Sequence, residues 1–172
     1  MAAAFSRAYI GVGSNLQDPR AQVERGLAAL AELPESRCTA CSALYGSPPL
    51  GVLPQPDYVN AVAALETHLG PHELLDCLQA VEARHGRVRD GRRWGPRILD
   101  LDLLLYDELV MDERRLILPH PGLPQRDFVL YPLYEIAPRL NIPRLGSLEL
   151  LLARCRDRGL TRITSHDAAP TS

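Results

Sequence analysis

Two aspartates stand two residues apart inside the most apolar run of the chain, ILDLDLLLY at residues 98–106. In a strand, that spacing sends the Asp100 and Asp102 carboxylates out of one face and leaves Leu99, Leu101, Leu103 and Leu105 on the other. Two acids in so apolar a strand are costly unless something compensates them. Mg²⁺ is one such partner, because it takes hard oxygen ligands and keeps room for substrate phosphates. A salt-bridge network with nearby arginines is the other.

Those arginines lie immediately upstream. Residues 84–97 read RHGRVRDGRRWGPR, six arginines in fourteen residues with one acid, Asp90. Gly86, Gly91 and Gly95 loosen the segment and Trp94 gives it an aromatic plane. The pattern reads as a lid that folds guanidinium groups over a polyphosphate beside the carboxylates. A solvated basic loop and a nucleic-acid arm, gripping backbone and stacking a base, are the competing readings. The flanking aspartates and the formal net charge of −2 argue against the arm. A basic lid next to paired aspartates is a pattern of phosphoryl or nucleotidyl transfer without a P-loop.

Composition narrows the chemistry further. The chain has 172 residues, 46% hydrophobic and 23% charged, an ordinary mix for one domain. We expect residues 1–163 to form that domain and residues 164–172 to be a disordered tail. All 19 basic residues are arginine. Without lysine there is no P-loop, no protein-kinase lysine and no Schiff base, although genomic base composition would also account for the absence. Phosphate handling then falls to guanidinium forks, main-chain N–H groups or a metal. Four cysteines are too few for a disulfide scaffold. The C-x-x-C of Cys38 and Cys41 enters a strand-like run and has no matching pair, so it reads as structural. Arg7 interrupts the apolar N-terminus, so no cleavable signal peptide is expected, and no run reaches the ~18 apolar residues of a membrane span. The cytoplasm is the expected compartment.

The elements that must hold these groups follow from pattern. A strand over residues 8–12 runs into a glycine-rich turn, where Gly11 and Gly13 read as structural. Asp18-Pro19 starts a helix over 20–33, with Val23, Leu27, Leu30 and Leu33 on one face and Pro34 ending it. A strand over 37–47 precedes a proline-rich loop over 47–56. Another over 58–67 puts Tyr58 and Asn60 on one face. Gly70-Pro71 opens a second helix with Leu74, Leu75, Leu78 and Val81 inward, ended by Gly86. After the aspartate strand come a short strand pair within 109–118 and a helix near 128–136 whose start Pro132 limits. A last helix over 147–155 is capped by Ser147. The order β-α-β-β-α-β predicts an α+β fold, the ferredoxin-like sandwich of a mainly antiparallel sheet with helices packed on it.

RWGPRILDLDLL at residues 93–104 resembles the signature of the 6-hydroxymethyl-7,8-dihydropterin pyrophosphokinase family. YIGVGSNL, SPPLG, QPDYVNAV, EARHGRVR, LILPHP and LYPLYEIAP also fall in family order, so the resemblance spans roughly residues 9–139. It implies transfer of pyrophosphate from ATP to the pterin hydroxymethyl group, giving AMP. It implies Asp100 and Asp102 as ligands of two Mg²⁺ ions, and Arg87 and Arg97 as the catalytic arginines. For ATP it implies Arg89 and Trp94 on the closing loop, with Gln79, Glu82, Leu103, Arg115, His120 and Arg126. For the pterin it implies a sandwich between Tyr58 and Phe128, with Asn60 and the chain at Ser47, Pro48 and Leu50 bonding the ring edge. An aromatic and an amide on one strand face suit a flat polar heterocycle. Without the resemblance, Tyr58 and Phe128 would read as core, and His120 as a loop histidine capping a turn. The chain departs from the family form at Gly46, Ser47, Ile117 and Pro121. The expected partners are small molecules only, with neither nucleic acid nor membrane, and the expected acting unit is a monomer. A nucleotidyltransferase of similar fold and a nucleic-acid-binding module are the alternatives.

Overall fold

The computed structural model describes residues 4–48, 57–85, 98–156 and 159–163. Leu50, Arg87, Arg89, Trp94, Arg97, Gly86 and the expected tail at 164–172 lie outside the described residues.

Three neighbouring strands carry the site: β1 (Ser6–Ser14), β4 (Tyr58–Thr67) and β5 (Asp100–Tyr106), with β1 pairing antiparallel to both others. Along the far side of β4 lie β2 (Ser36–Cys41) and β3 (Leu44–Ser47), end to end. They replace the single strand expected over 37–47. The break falls at Ser42, which donates its N–H to the Val62 carbonyl and accepts the Val62 N–H on Oγ, both at 2.9 Å. A side chain thus takes over one ladder bond, and the chain kinks without leaving β4 unpaired. Taking β2 and β3 as one edge, the order edge–β4–β1–β5 is that of the expected ferredoxin-like sandwich.

Helices cover both faces of the sheet. On one face, α1 (Pro19–Ala31) and α2 (Pro71–Arg84) bury Val23, Leu30, Leu74, Leu78 and Val81 against Ile10, Ala63 and Leu65. Capping starts them where the sequence predicts. Asp18 accepts the Ala21 N–H at 3.3 Å, Glu73 accepts the Gly70 N–H at 3.2 Å, and a proline occupies the first turn of each. On the other face, α3 (Asp127–Ile136) and α4 (Leu148–Arg154) close over Val62, Ala64 and Leu104. Ser147 caps α4 through the Leu150 N–H, as expected.

Three expectations need correction. Leu105 does not share a face with Leu99, Leu101 and Leu103; a register shift opposite Tyr9 and Ile10 turns it with Leu104 toward α3. Pro132 does not set the start of α3, which begins at Asp127 and runs through it, giving up one intrahelical bond. The end of the described chain also adds a strand, β10 (Thr161–Ile163), paired with β3. The expected short pair is present as β6 (Met111–Asp112) and β7 (Ile117–Leu118), and a second one follows at β8 (Asn141–Ile142) and β9 (Gly146–Ser147). Cys38 and Cys41 are free thiols on β2 with their sulfurs 3.3 Å apart, and partial burial together with Cys38 pushes the Cys41 thiol up. A raised thiol pKa makes a poor nucleophile at neutral pH.

Where α1 crosses the sheet it carries Gly26. A Cβ there would lie 2.9 Å from Leu99 Cδ1 and 3.1 Å from Val12 Cγ1, and both neighbours are buried. Gly26→Ala gains about 1 kcal/mol of helix propensity but overpacks a site that cannot yield. We expect a net loss of about 1–2 kcal/mol, read as a lower urea midpoint at unchanged slope.

Candidate active site

The face under α3 is covered over only part of its length. Val62, Ala64 and Leu104 are roofed, whereas the end carrying Tyr58, Asn60, Asp100 and Asp102 opens into a cavity of about 530 Å³ beside the start of α3. Strand register builds its floor. Gly13 sits opposite Asn60 on one side and Asp100 on the other, and Gly11 sits opposite Val62 and Asp102. Paired residues point to the same face, so the middle strand contributes no side chain between the amide and the carboxylates. Glycine is required at one of these positions, because a Cβ on Gly13 would lie 2.9 Å from Asn60 Oδ1. Gly11 and Gly13 are therefore a strand floor, where a turn had been expected. The signal for them, one G-x-G and one D-x-D, becomes readable only once the two strands are paired.

Each wall comes from a different element. Asn60 is buried and donates from Nδ2 to Ser47 Oγ at 2.7 Å, tying β4 to the end of β3. Tyr58 and Phe128 both line the cavity, as does Pro48. Arg126, expected among the nucleotide contacts, reaches into this cavity. Its guanidinium lies 5.7 Å from the centre of the Phe128 ring, and Nη1 lies 3.9 Å from Asp102 Oδ2.

A second cavity of about 310 Å³ lies between α2, β5 and the β6–β7 hairpin. It gathers Gln79, Glu82, Leu103 and Arg115, and it shares Asp102, His120 and Pro121 with the first. Glu82 is nearly buried, and its Oε2 accepts the Leu101 N–H at 3.0 Å, so it anchors the strand between the two aspartates to α2. Arg115 bonds Asp76 and, at 3.3 Å, Gln79 Oε1. Arg114 lines the same cavity and was not anticipated from the sequence. A place among the four residues that join β6 to β7 carries no pattern that would single it out.

His120 stands where the cavities meet. The Gly122 N–H donates to its Nδ1 at 3.1 Å, which leaves the ring proton on Nε2. Burial, and then the positive charge of Arg126, hold its pKa down to about 4. The ring is neutral at physiological pH, with Nε2–H available as a donor. Asp100 and Asp102 are half-buried and line the cavity from one strand face. Among the described residues there is no group of three or more His, Cys, Asp or Glu arranged to hold a metal. Two hard carboxylates on a rigid strand fit Mg²⁺, which commonly takes one or two carboxylates and fills its shell with water and phosphate oxygens.

Fold and cleft define a ferredoxin-like α+β domain whose two cavities meet at Asp102, His120 and Pro121. A family model described as 7,8-dihydro-6-hydroxymethylpterin-pyrophosphokinase (HPPK) matches residues 9–138. The chain belongs to this family. Similar curated proteins include the 2-amino-4-hydroxy-6-hydroxymethyldihydropteridine pyrophosphokinases of Pseudomonas aeruginosa and Haemophilus influenzae. The first is 52% identical, over 92% of this chain and 98% of the relative. The second is 44% identical, over 91% and 97%. Among solved structures, wild-type Plasmodium falciparum HPPK-DHPS with pteroate superposes with a TM-score of 0.68 at 12% identity. That match covers 89% of this chain and 43% of the other, and it supports the fold alone.

His120 generates a test. Its folded pKa lies below the ordinary histidine value, so the unfolded chain binds the extra proton between about pH 6.5 and pH 4. Stability therefore falls as pH drops through that window and is full above it. Urea denaturation at pH 7 and pH 4.5 is expected to show wild type losing about 2 kcal/mol more than His120→Gln.

Proposed function

We infer that the chain transfers pyrophosphate from ATP to the hydroxymethyl group of 6-hydroxymethyl-7,8-dihydropterin, releasing AMP, in tetrahydrofolate biosynthesis. Beyond family membership, one observation carries the reading. The residues suited to a flat polar ring line one cavity, those suited to a nucleotide line the other, and Asp102 and His120 border both. A hydroxyl carried by the first ligand would then face phosphates carried by the second.

The roles of the described residues rest on their place in the two cavities, and those of Leu50, Arg87, Arg89, Trp94 and Arg97 on the family resemblance alone. Tyr58 and Phe128 hold the ring between them, while Asn60 and the chain at Ser47, Pro48 and Leu50 read its edge. Gln79, Leu103 and Arg115 hold the nucleotide, and Glu82 keeps the aspartate strand in place for it. The hydroxymethyl oxygen attacks the β-phosphorus in line, and the bond from that phosphorus to the AMP oxygen breaks. His120 donates Nε2–H and Arg126 its guanidinium to oxygens that gain charge. Arg87 and Arg97 follow that charge from the arginine segment, with Arg89 and Trp94 closing over it. Two Mg²⁺ ions held by Asp100 and Asp102 would polarise the phosphoryl oxygens and acidify the hydroxyl. We take residues 1–163 as the catalytic unit, acting as a cytoplasmic monomer on small molecules without nucleic acid. No helix among the described residues is long and apolar enough to cross a membrane.

Incubation with ATP, Mg²⁺ and the reduced hydroxymethylpterin tests the reaction. Pterin-dependent AMP is expected. ADP would indicate an ordinary kinase, and release of free pyrophosphate a nucleotidyltransferase. Asp102→Ala should abolish turnover with the fold intact, and activity within about tenfold of wild type would contradict the metal assignment. For Arg97→Ala the expectation is a large fall in kcat with a modest change in pterin affinity. Equal losses in both would contradict a role confined to the transition state.

A further inference from the structure

One carboxylate outside both cavities joins the two elements that wall the first. Glu135 lies near the end of α3, the helix whose start carries Phe128. Its Oε1 accepts the Tyr45 hydroxyl at 2.6 Å, and its Oε2 accepts the Ala43 N–H at 2.7 Å. Arg162 of β10 approaches Oε1 at 3.7 Å. Ala43 sits in the break between β2 and β3, where its N–H has left the ladder and needs another acceptor. Tyr45 is buried and lies directly opposite Asn60, and Ser47, two residues along β3, accepts the Asn60 amide. Burial and the neighbouring carboxylate push the Tyr45 phenol up to about 12, so it stays a donor at neutral pH.

We propose that Glu135 is a positioning residue for pterin binding. By bonding Tyr45 and Ala43 it locks β3 to α3, and so sets the Ser47–Asn60 edge and the Phe128 wall in one fixed relation. Charge-assisted bonds to a phenol and a main-chain N–H are among the stronger polar contacts available. Neither cavity is lined by Glu135, so its influence passes through β3 and α3. The second cavity is built from α2, β5 and the hairpin and shares none of these contacts. Loss of the clamp should therefore weaken the ring ligand and spare the nucleotide. The inference rests on reading the first cavity as the pterin site.

The test is calorimetric binding of the reduced hydroxymethylpterin and, separately, of a non-cleavable ATP analogue with Mg²⁺, on the full chain. Glu135→Ala is expected to weaken pterin binding about tenfold or more and leave nucleotide binding within about twofold. Glu135→Gln should retain most of the pterin affinity. Its amide oxygen can accept from Ala43 while its NH₂ donates to a reversed Tyr45 hydroxyl. Tyr45→Phe, which keeps the ring and removes one bond, should cost about threefold toward the pterin alone, and it carries the test if Glu135→Ala does not fold. Unchanged pterin affinity in Tyr45→Phe and in folded Glu135→Ala would overturn the proposal, as would equal losses for both ligands. Phe128→Ala and Asn60→Ala separate the two levels. If these weaken pterin binding and the clamp variants do not, the clamp alone is wrong. If these too leave it unchanged, the site reading falls and the clamp with it.

Discussion

The site depends on the register of three antiparallel strands. Asn60, Gly13 and Asp100 form one row across β4, β1 and β5, and Val62, Gly11 and Asp102 form the next but one. Side chains alternate faces along each strand, so a slip of one residue in either pairing would turn the carboxylates into the leucine-filled layer under α1 and α2. That layer prevents the slip. Leu99, Leu101 and Leu103 are buried on the opposite face, and moving them into an open cleft would expose three large apolar side chains at roughly 1.5–3 kcal/mol each. The apolar half of β5 thus holds the polar half in place, and the glycines of β1 leave the space in which the carboxylates can act.

Charge in the cleft is arranged with the same economy. Arg126 stands between Asp102 and the Phe128 ring, and its charge, after burial, helps keep His120 neutral. A neutral ring with its proton on Nε2 donates to an anion without adding another charge to a crowded site. The absence of lysine fits this division of labour. Guanidinium groups offer fixed, planar donors that stay charged beside other cations, whereas an ammonium in such surroundings loses its proton more readily. Genomic base composition would account for the missing lysines, but not for six arginines in the fourteen residues that precede the aspartate strand.

Local rules made a large part of this visible in advance. A D-x-D in an apolar strand, an aromatic and an amide two apart on another, and capped helix starts at Asp18, Gly70 and Ser147 are all encoded within a few residues, and the structure holds them as read. What escaped is what depends on partners far away in the chain. The Gly11 and Gly13 floor has meaning only opposite Asp102 and Asp100. Leu105 changes face because of a register shift against β1, and the kink at Ser42 exists because Val62 is there to bond it. Glu135 reads from the sequence as one more polar position on α3, since Tyr45 and Ala43 lie about ninety residues earlier. Pattern reports which face a residue occupies, and pairing decides what it meets there.

In the proposed reaction one cleft, floored by the glycine row, brings a pterin and a nucleotide together across Asp102. A crystal structure with 6-hydroxymethyl-7,8-dihydropterin, a non-cleavable ATP analogue and Mg²⁺ tests it most directly. The pterin ring is expected between Tyr58 and Phe128, the analogue between α2 and the β6–β7 hairpin, and metal density on Asp100 and Asp102. A pterin bound away from Asn60, or Asp100 and Asp102 engaged only by arginines with no cation between them and the phosphates, would contradict it.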